Sequence, residues 1–151
     1  MVARILRTTG AHTDFQTLTA ELDKELWLRY PNIQQTYVPL NKITQNDLVV
    51  VAYVDDQPAA CGCLRQYDPS TFEVKRMFVR NEYRGHGISK QVLKELERWT
   101  LERGIERTIL ETGNNQPEAV SLYKKSGYSI IENYGEYRDK RHSICMEKRL
   151  K

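Results

Sequence analysis

Cysteine is scarce in this sequence, which contains three among 151 residues. An odd number cannot pair completely, so a disulfide framework is not expected. Cys61 and Cys63 lie in a predicted strand, where we expect their side chains on opposite faces, and Cys145 lies in another apolar strand. Thiols in such strands are usually inert, so we expect buried free cysteines and no cysteine nucleophile.

Long apolar runs are also missing from the sequence. No segment approaches the roughly 20 residues that a membrane-spanning helix requires. Residues 1–7 are followed at once by polar Thr8 and Thr9, unlike the start of a secretion signal. We therefore expect a soluble, cytoplasmic protein without a membrane partner.

Neither sign of charge dominates, because 23 basic and 20 acidic side chains give a net charge of +3. The signs are interspersed and the basic stretch at residues 140–142 is short, so the sequence lacks the basic surface of a nucleic-acid-binding protein. His12, His86 and His142 are far apart and show no paired spacing with cysteine, so no metal site is expected. The length predicts a single domain over residues 1–151.

Helical and strand periodicities alternate along the chain. Apolar residues at helical spacing predict an amphipathic helix up to Pro31, opened by a capping box of Thr13 and Gln16. Residues 31–46 contain two prolines and predict a loop or short helical turns. The order predicts an α/β (α+β) fold with helices on the faces of a mixed sheet. The remaining elements are strands at residues 48–54, 58–65 and 72–79, a helix ending near Gly104, a strand at residues 108–112, a helix from Pro117 to Gly127, and strands at residues 128–134 and 143–150.

A glycine-rich loop separates the third of these strands from the next helix. Glycines let main-chain N–H groups converge on an anion, and the helix N-terminus adds partial positive charge, so the loop suits a diphosphate. It lacks the Gly-Lys-Ser/Thr ending of a P-loop and the third glycine of the dinucleotide fingerprint. By itself, the pattern is equally compatible with a tight turn before a helix. The loop residues are Arg84, Gly85, His86, Gly87, Ile88 and Ser89.

Three ordered segments favour the anion site. Residues 73–79 (EVKRMFV), 83–89 (YRGHGIS) and 122–128 (LYKKSGY) resemble the GNAT superfamily of N-acetyltransferases, over about residues 48 to 147. The segments at residues 111–119 and 134–137 (YGEY) resemble a bacterial, small-molecule-type subgroup. The resemblance implies the GNAT fold, a mostly antiparallel central sheet of about six to seven strands flanked by about four helices.

The same resemblance implies acetyl-CoA as co-substrate and assigns residues to it. In the family's loop pattern Arg84 and Gly87 fill the first two key places, and Ser89 departs at the last. Gln116 replaces an asparagine with which many relatives contact the coenzyme. The implied coenzyme-binding residues are Met77, Phe78, Val79, Arg84, Gly85, His86, Gly87, Ile88, Ser89, Asn115, Gln116 and Tyr123.

Two of the resembling segments carry candidate catalytic groups. The family commonly has a general acid at the position of Tyr123, and a phenol can protonate the departing thiolate. Several members have a general base at the position of Glu73, which would deprotonate an otherwise unreactive ammonium. The alternatives are an aromatic core residue for Tyr123 and, for Glu73, a surface carboxylate paired with Lys75 or a cross-strand cation.

These assignments predict an N-acyltransferase that moves an acetyl group from acetyl-CoA directly to a primary amine of a small molecule, amino acid or peptide. A non-catalytic acyl-CoA-binding or sensing domain is the alternative, because it would share every feature of the loop. Arg65, Lys75 and Arg76 are candidates for holding an acceptor carboxylate, or are simply solvated cations. A homodimer is compatible with the resemblance, and no nucleic-acid partner is expected.

Overall fold

The order of the strands across the sheet differs from their order along the chain. The computed structural model describes the backbone of residues 1–151 and every side chain except those at positions 35, 36 and 41. The strands are β1 (Arg4–Thr9), β2 (Leu48–Val54), β3 (Gln57–Asp68), β4 (Thr71–Val79), β5 (Arg107–Gly113), β6 (Ser129–Ile131) and β7 (Ser143–Arg149). They form a seven-stranded sheet in the order β1-β2-β3-β4-β5-β7-β6.

The sheet is mixed and mostly antiparallel, as predicted. β4 and β5 run parallel, whereas β1 with β2, β2 with β3, β5 with β7 and β6 with β7 are antiparallel. Parallel neighbours require a crossover connection, usually a helix. The crossover from β4 to β5 therefore contains both the glycine-rich loop and the helix that follows it.

Four α-helices are described: α1 (Thr13–Arg29), α2 (Gln34–Tyr37), α3 (Ile88–Glu102) and α4 (Pro117–Lys125). α2 has four residues and is a single turn. The sheet is therefore accompanied by three longer helices, one fewer than the predicted count of about four. With the 3₁₀ turn at Val38–Asn41, α2 confirms the short helical turns predicted within residues 31–46. Among the described residues, none of the helices combines the length and the apolar character of a membrane span.

The N-cap of α1 is His12, one position before the predicted cap. His12 is extended, and its Nδ1 atom accepts a hydrogen bond from the Asp14 N–H at 3.2 Å. The side chain of Gln16 donates to the carbonyl of Gly10, and Thr13 is already helical. The predicted capping box is therefore wrong, because the imidazole of His12, and not the hydroxyl of Thr13, caps the helix by accepting the N–H of Asp14.

The chain forms two compact units, and the first contains Met1–Arg65 and Lys75–Leu96. The expectation that Cys61 and Cys63 face opposite ways is wrong, because both lie in the core of this unit. Residues two apart in a strand share a face. This core packs α1 against β2, β3 and β4, and its members are Phe15, Leu18, Leu22, Val49, Val51, Tyr53, Cys61, Cys63 and Phe78.

The second unit contains Gln66–Val74 and Glu97–Lys151. Within it, residues 71–74 of β4 pair in parallel with residues 107–110 of β5. β5 also pairs with β7 along its whole length, from Arg107 opposite Arg149 to Gly113 opposite Ser143. β5 is thus the central strand of this unit.

A buried polar network stabilises the second unit beside β5. The hydroxyls of Thr108 and Tyr128 are 2.8 Å apart, and Tyr128 donates to Glu97 at 3.1 Å. Lys148 pairs with the same carboxylate at 2.9 Å. The charge of Glu97 is therefore compensated by a cation and a hydroxyl, as a buried carboxylate requires.

The connection between β6 and β7 is longer than predicted. β6 ends at Ile131, although the sequence predicts a strand to residue 134. The chain leaves the sheet at Asn133, whose Nδ2 atom donates to the carbonyls of Tyr137 and Lys140, both at 3.1 Å. These bonds close a compact loop, in which Tyr134 lies.

Truncating the α1 contact with the core should reduce stability strongly. Leu18 is fully buried, whereas Leu28 on the same helix is 83% exposed. Leu18→Ala should lower the free energy of unfolding by about 2–5 kcal/mol because it leaves a cavity. The control Leu28→Ala should change it by less than about 0.5 kcal/mol. Urea unfolding followed by circular dichroism measures both, and equal midpoints would contradict the described packing of α1.

Candidate active site

The glycine-rich loop follows a 3₁₀ turn, Asn81–Tyr83, and leads into α3. Gly85 and Gly87 have φ angles of +82° and +77°, in the left-handed region. A side chain there costs roughly 1–2 kcal/mol, so the backbone conformation itself requires glycine. Both are exposed, and a methyl group added at either would meet no atom within 4 Å. The loop is therefore open to a ligand.

The first turn of α3 provides main-chain donors. The N–H of Gln91 bonds to the carbonyl of Gly87 at 3.2 Å, which closes the first turn. The N–H groups of Ile88, Ser89 and Lys90 precede it and have no acceptor within the helix. Ile88 is 1% exposed and anchors the start of the helix in the protein interior. These N–H groups and the helix dipole form a candidate anion site of the predicted kind.

Arg84 lies against the end of β4. Its Nε atom donates to the carbonyl of Val79 at 2.9 Å, and a terminal nitrogen pairs with Glu25 of α1 at 2.9 Å. The guanidinium also lies 5.7 Å from the centre of the Phe78 ring. Two of the three guanidinium nitrogens of Arg84 therefore have internal partners, and its contact with an anion stays a prediction. The neighbouring His86 is exposed.

β4 ends with three of the implied coenzyme-binding residues, Met77, Phe78 and Val79. Phe78 belongs to the core of the first unit, and Met77 and Val79 are half-buried. The described register of β4 with β5 covers residues 71–74, but β4 continues to Val79. Main-chain groups beyond that register are of the type with which a strand edge binds an extended ligand.

Tyr123 lies on α4, in the interior of the second unit. It is 6% exposed, and its ring meets that of Tyr128 edge-on, with centroids 5.7 Å apart. Burial, assisted by the nearby charge of Glu111, raises the pKa of Tyr123 far above its ordinary value. The ring is thus part of the packed interior, as the alternative interpretation holds, and the phenol also keeps the proton that a general acid must donate.

Glu73 is buried in the second unit and is held by a tyrosine. Its side chain lies on β4 with 7% exposure, so the alternative of a surface carboxylate is wrong. The hydroxyl of Tyr134 donates to Oε2 of Glu73 at 2.6 Å. The short distance is typical of a charge-assisted hydrogen bond.

Asn115 and Gln116 lie in the turn between β5 and α4. The Oε1 atom of Gln116 accepts the N–H of Gly113 at 3.3 Å, and the Gln116 N–H donates to the Gly113 carbonyl at 3.1 Å. Asn115 is exposed. The side chain of Gln116 therefore stabilises the turn before Pro117, and a contact with the coenzyme stays a prediction for both residues.

The predicted site residues are divided between the two units. The first contains residues 77–79 and 84–89, and the second contains Glu73, Asn115, Gln116 and Tyr123. Tyr134 is a partner that sequence reasoning missed. Its segment resembles a bacterial subgroup, but no local pattern indicates contact with a carboxylate 61 positions away.

Two of the three cations proposed for an acceptor carboxylate have internal partners, and the third, Lys75, is buried. Arg65 pairs with Asp47 at 2.9 Å, and Arg76 pairs with Asp23 at 2.6 Å and donates to the Thr19 carbonyl at 3.1 Å. Side chains with these partners hold the loop before β2 and the helix α1 in place. Their structural role replaces the solvated state that the sequence suggests.

The three cysteines are free and buried. Burial raises the pKa of Cys61 to about 12 and that of Cys145 to about 11. Burial also raises the pKa of Cys63. A thiol that stays protonated is a poor nucleophile, so direct transfer to the acceptor fits this site better than an acyl-cysteine intermediate.

The sequence profile of the Acetyltransferase (GNAT) family matches residues 13–128. That span contains the loop, β5 and α4. The chain belongs to this family. An IAA acetyltransferase of Azospirillum brasilense is 31% identical to it over 135 residues, which are 88% of this chain and 88% of that protein.

Solved structures share the same fold. A Klebsiella pneumoniae protein named as an acyl-CoA N-acyltransferase superimposes with a TM-score of 0.83 at 24% identity and covers 99% of both chains. A GNAT family acetyltransferase of Elizabethkingia anophelis, solved with acetyl-CoA bound, has a TM-score of 0.70 at 19% identity and covers 98% of both chains. Identities this low concern the fold alone, and they confirm the predicted GNAT fold of this chain.

Placing a side chain in the loop should weaken coenzyme A binding. Gly87→Ala should reduce the affinity about tenfold, because the left-handed strain of roughly 1–2 kcal/mol is relieved when the N–H groups turn away from the ligand. Gly104→Ala is the matched control, since Gly104 has the same φ of +77° and equally open space, after the end of α3. Calorimetric titration with coenzyme A measures the affinity of each variant. Equal affinities of Gly87→Ala and Gly104→Ala would contradict an anion site in this loop.

Proposed function

We propose that this GNAT chain is an acetyl-CoA-dependent N-acetyltransferase that moves an acetyl group directly to a primary amine of a small molecule, amino acid or peptide. The observation that carries the proposal is the loop at residues 84–89. Its two left-handed glycines and the first turn of α3 provide the donors that a diphosphate needs. Membership of an acetyltransferase family supports acetyl-CoA as the molecule that donates the acetyl group.

On this proposal, the coenzyme is held by two parts of the first unit. The N–H groups at the start of α3 bind the pyrophosphate, with Arg84 and His86 beside them. Residues 77–79 pair their main chain with the pantetheine arm, which the extension of β4 to Val79 supports. Asn115 and Gln116 are the coenzyme contacts predicted for the second unit. The acetyl-CoA bound to the Elizabethkingia anophelis relative supports acetyl-CoA as the acetyl donor.

The transfer requires movement of two protons. An alkylammonium has no lone pair, so Glu73 takes a proton from the acceptor nitrogen before or during attack. The nitrogen attacks the thioester carbonyl carbon, the new C–N bond forms, and the C–S bond breaks. The departing thiolate takes a proton from Tyr123, whose raised pKa keeps the phenol neutral until that moment. The second proton that leaves the acceptor nitrogen then restores the phenol.

Thiol release distinguishes this function from acyl-CoA binding without catalysis. The purified chain is mixed with acetyl-CoA and a panel of primary amines that includes amino acids, diamines, aryl-alkylamines and short peptides, and free coenzyme A is measured. We expect turnover with at least one acceptor and acetylated amine in equal amount. Tight acetyl-CoA binding with no thiol release across the panel would favour the non-catalytic alternative.

Removing the hydroxyl of Tyr123 should impair chemistry and spare binding. Tyr123→Phe keeps the ring and its edge-on contact with Tyr128, so the fold and the acetyl-CoA dissociation constant should be unchanged. kcat should fall about 100-fold or more, the typical contribution of a general acid. Steady-state kinetics and calorimetry measure the two quantities separately. Unchanged kcat would assign Tyr123 to the packed interior alone.

Three further expectations stay predictions. They are a single domain over residues 1–151, a cytoplasmic location, and the lack of nucleic-acid and membrane partners. The resemblance is compatible with a homodimer and does not fix the oligomeric state. Analytical ultracentrifugation of the purified chain tests the oligomeric state, and limited proteolysis tests whether the chain behaves as one domain.

A further inference from the structure

The loop between β6 and β7 contains the segment Tyr134-Gly135-Glu136-Tyr137, for which the proposed function has no role. Gly135 has a φ of +53° and opens a 3₁₀ turn in which the Tyr137 N–H donates to the Tyr134 carbonyl at 2.9 Å. A methyl group at Gly135 would lie 3.3 Å from the hydroxyl oxygen of Tyr67. The turn is therefore tight against β3, and glycine suits both its conformation and its space.

Two other rings fix the ring of Tyr134. Tyr67 meets it edge-on with centroids 5.2 Å apart and planes at 76°, and Tyr137 meets it edge-on at 5.6 Å and 87°. Edge-to-face pairs of this kind are favourable beyond the area they bury. The Tyr134 ring is thus held between two neighbours, and its hydroxyl has a defined direction.

That hydroxyl points at the candidate base. It donates to Oε2 of Glu73 at 2.6 Å. Burial, followed by the charge of Glu73 and the hydrogen bond itself, raises the pKa of Tyr134 far above its ordinary value. Tyr134 therefore remains a neutral donor, and the carboxylate of Glu73 is the acceptor.

We propose that Tyr134 is a positioning residue for Glu73, because its hydrogen bond holds in one orientation the carboxylate that takes the proton of the acceptor amine. The inference rests on the proposed function, because it requires Glu73 to act as the base. In the step itself, the proton moves from the amine nitrogen to the Glu73 carboxylate, and Tyr134 keeps its own proton throughout.

Other titratable groups lie near this pair. Cys145 on β7 and Tyr137 on the loop both have a pKa raised chiefly by burial, to about 11 for Cys145, so they stay neutral below pH 9. Glu111 on β5 and Glu136 on the loop act on Tyr137 electrostatically. Glu111 also accepts a hydrogen bond from Ser143 at 2.6 Å. Arg107, Glu132 and Arg138 line a pocket together with Tyr134. All these groups are unchanged in the variants below, so a difference between the variants reports on the contact of Tyr134 with Glu73.

The test compares Tyr134→Phe with Tyr67→Phe in kcat/KM profiles from pH 5 to 9. Loss of one hydrogen bond to a charged group should move the acidic limb of the Tyr134→Phe profile about one pH unit higher. Tyr67→Phe removes a hydroxyl from the adjacent ring, and this hydroxyl has no hydrogen bond among the described residues. Its profile should match the wild type. Coenzyme A affinity should be unchanged in both variants. Thermal unfolding should be unchanged for Tyr67→Phe and should shift down by a few degrees for Tyr134→Phe, because that variant loses a hydrogen bond to a buried carboxylate.

Glu73→Gln and the double variant Glu73→Gln/Tyr134→Phe complete the cycle. Glu73→Gln should depress the rate chiefly at low pH, and adding Tyr134→Phe should cause no further loss, because the two side chains act as one unit. Two results would overturn the inference while the acetyltransferase function stands. One is a double variant whose loss of kcat/KM is the sum of the two single losses, and the other is an acidic limb at the same pH in Tyr134→Phe and Tyr67→Phe. If Glu73→Gln had the pH profile of the wild type, Glu73 would not be the base. If the wild-type chain released no thiol from acetyl-CoA, the proposed function would be refuted. Either result would also overturn the inference about Tyr134.

Discussion

β4 and β5 run parallel, and this pairing dictates the connection on which the candidate coenzyme site depends. Residues 71–74 pair with residues 107–110, so the chain must cross over between them. The crossover is α3, and its N-terminus necessarily follows the carboxyl end of β4. In sheets with parallel strands that end is where ligands bind, since helix N-termini and loops converge there. The left-handed conformations of Gly85 and Gly87 then open the loop in front of the helix.

Hydroxyl groups accompany three carboxylates of the second unit, of which Glu73 and Glu97 are buried and Glu111 is half-buried. Tyr128 donates to Glu97, Ser143 to Glu111 and Tyr134 to Glu73. Glu97 also has an ammonium partner at 2.9 Å, so its charge is compensated in the manner of a structural ion pair. The hydroxyl of Tyr134 fixes the direction of the Glu73 carboxylate, because the rings of Tyr67 and Tyr137 hold the Tyr134 ring in place. Of these three carboxylates, Glu73 is the one to which the proposed function gives a chemical role.

Local patterns predicted most of the elements, and long-range contacts account for what they missed. β2 has the predicted bounds, and α3 ends before the left-handed Gly104, because an apolar run and a terminating glycine act within a few residues. β6 is shorter than its apolar pattern suggests, because Asn133 finds carbonyl partners in the following loop. The imidazole cap at His12 and the bond from Tyr134 to Glu73 depend on side-chain geometry that no periodicity encodes. Both candidate catalytic residues were located by family resemblance, and their surroundings by the fold.

The partners of Arg84 bear on how the loop would receive a diphosphate. Its ion pair with Glu25 joins side chains that are 38% and 28% exposed, and such pairs contribute about 0–1 kcal/mol. A pyrophosphate offers the guanidinium a more highly charged, bidentate partner, for which arginine is well suited. Exchanging Glu25 for the phosphate therefore costs little. The bond from Nε of Arg84 to the Val79 carbonyl is separate from that ion pair. On the proposed function, this carbonyl lies in the segment of β4 that pairs with pantetheine, so a guanidinium that turned fully towards the pyrophosphate would also free a main-chain acceptor at the strand edge.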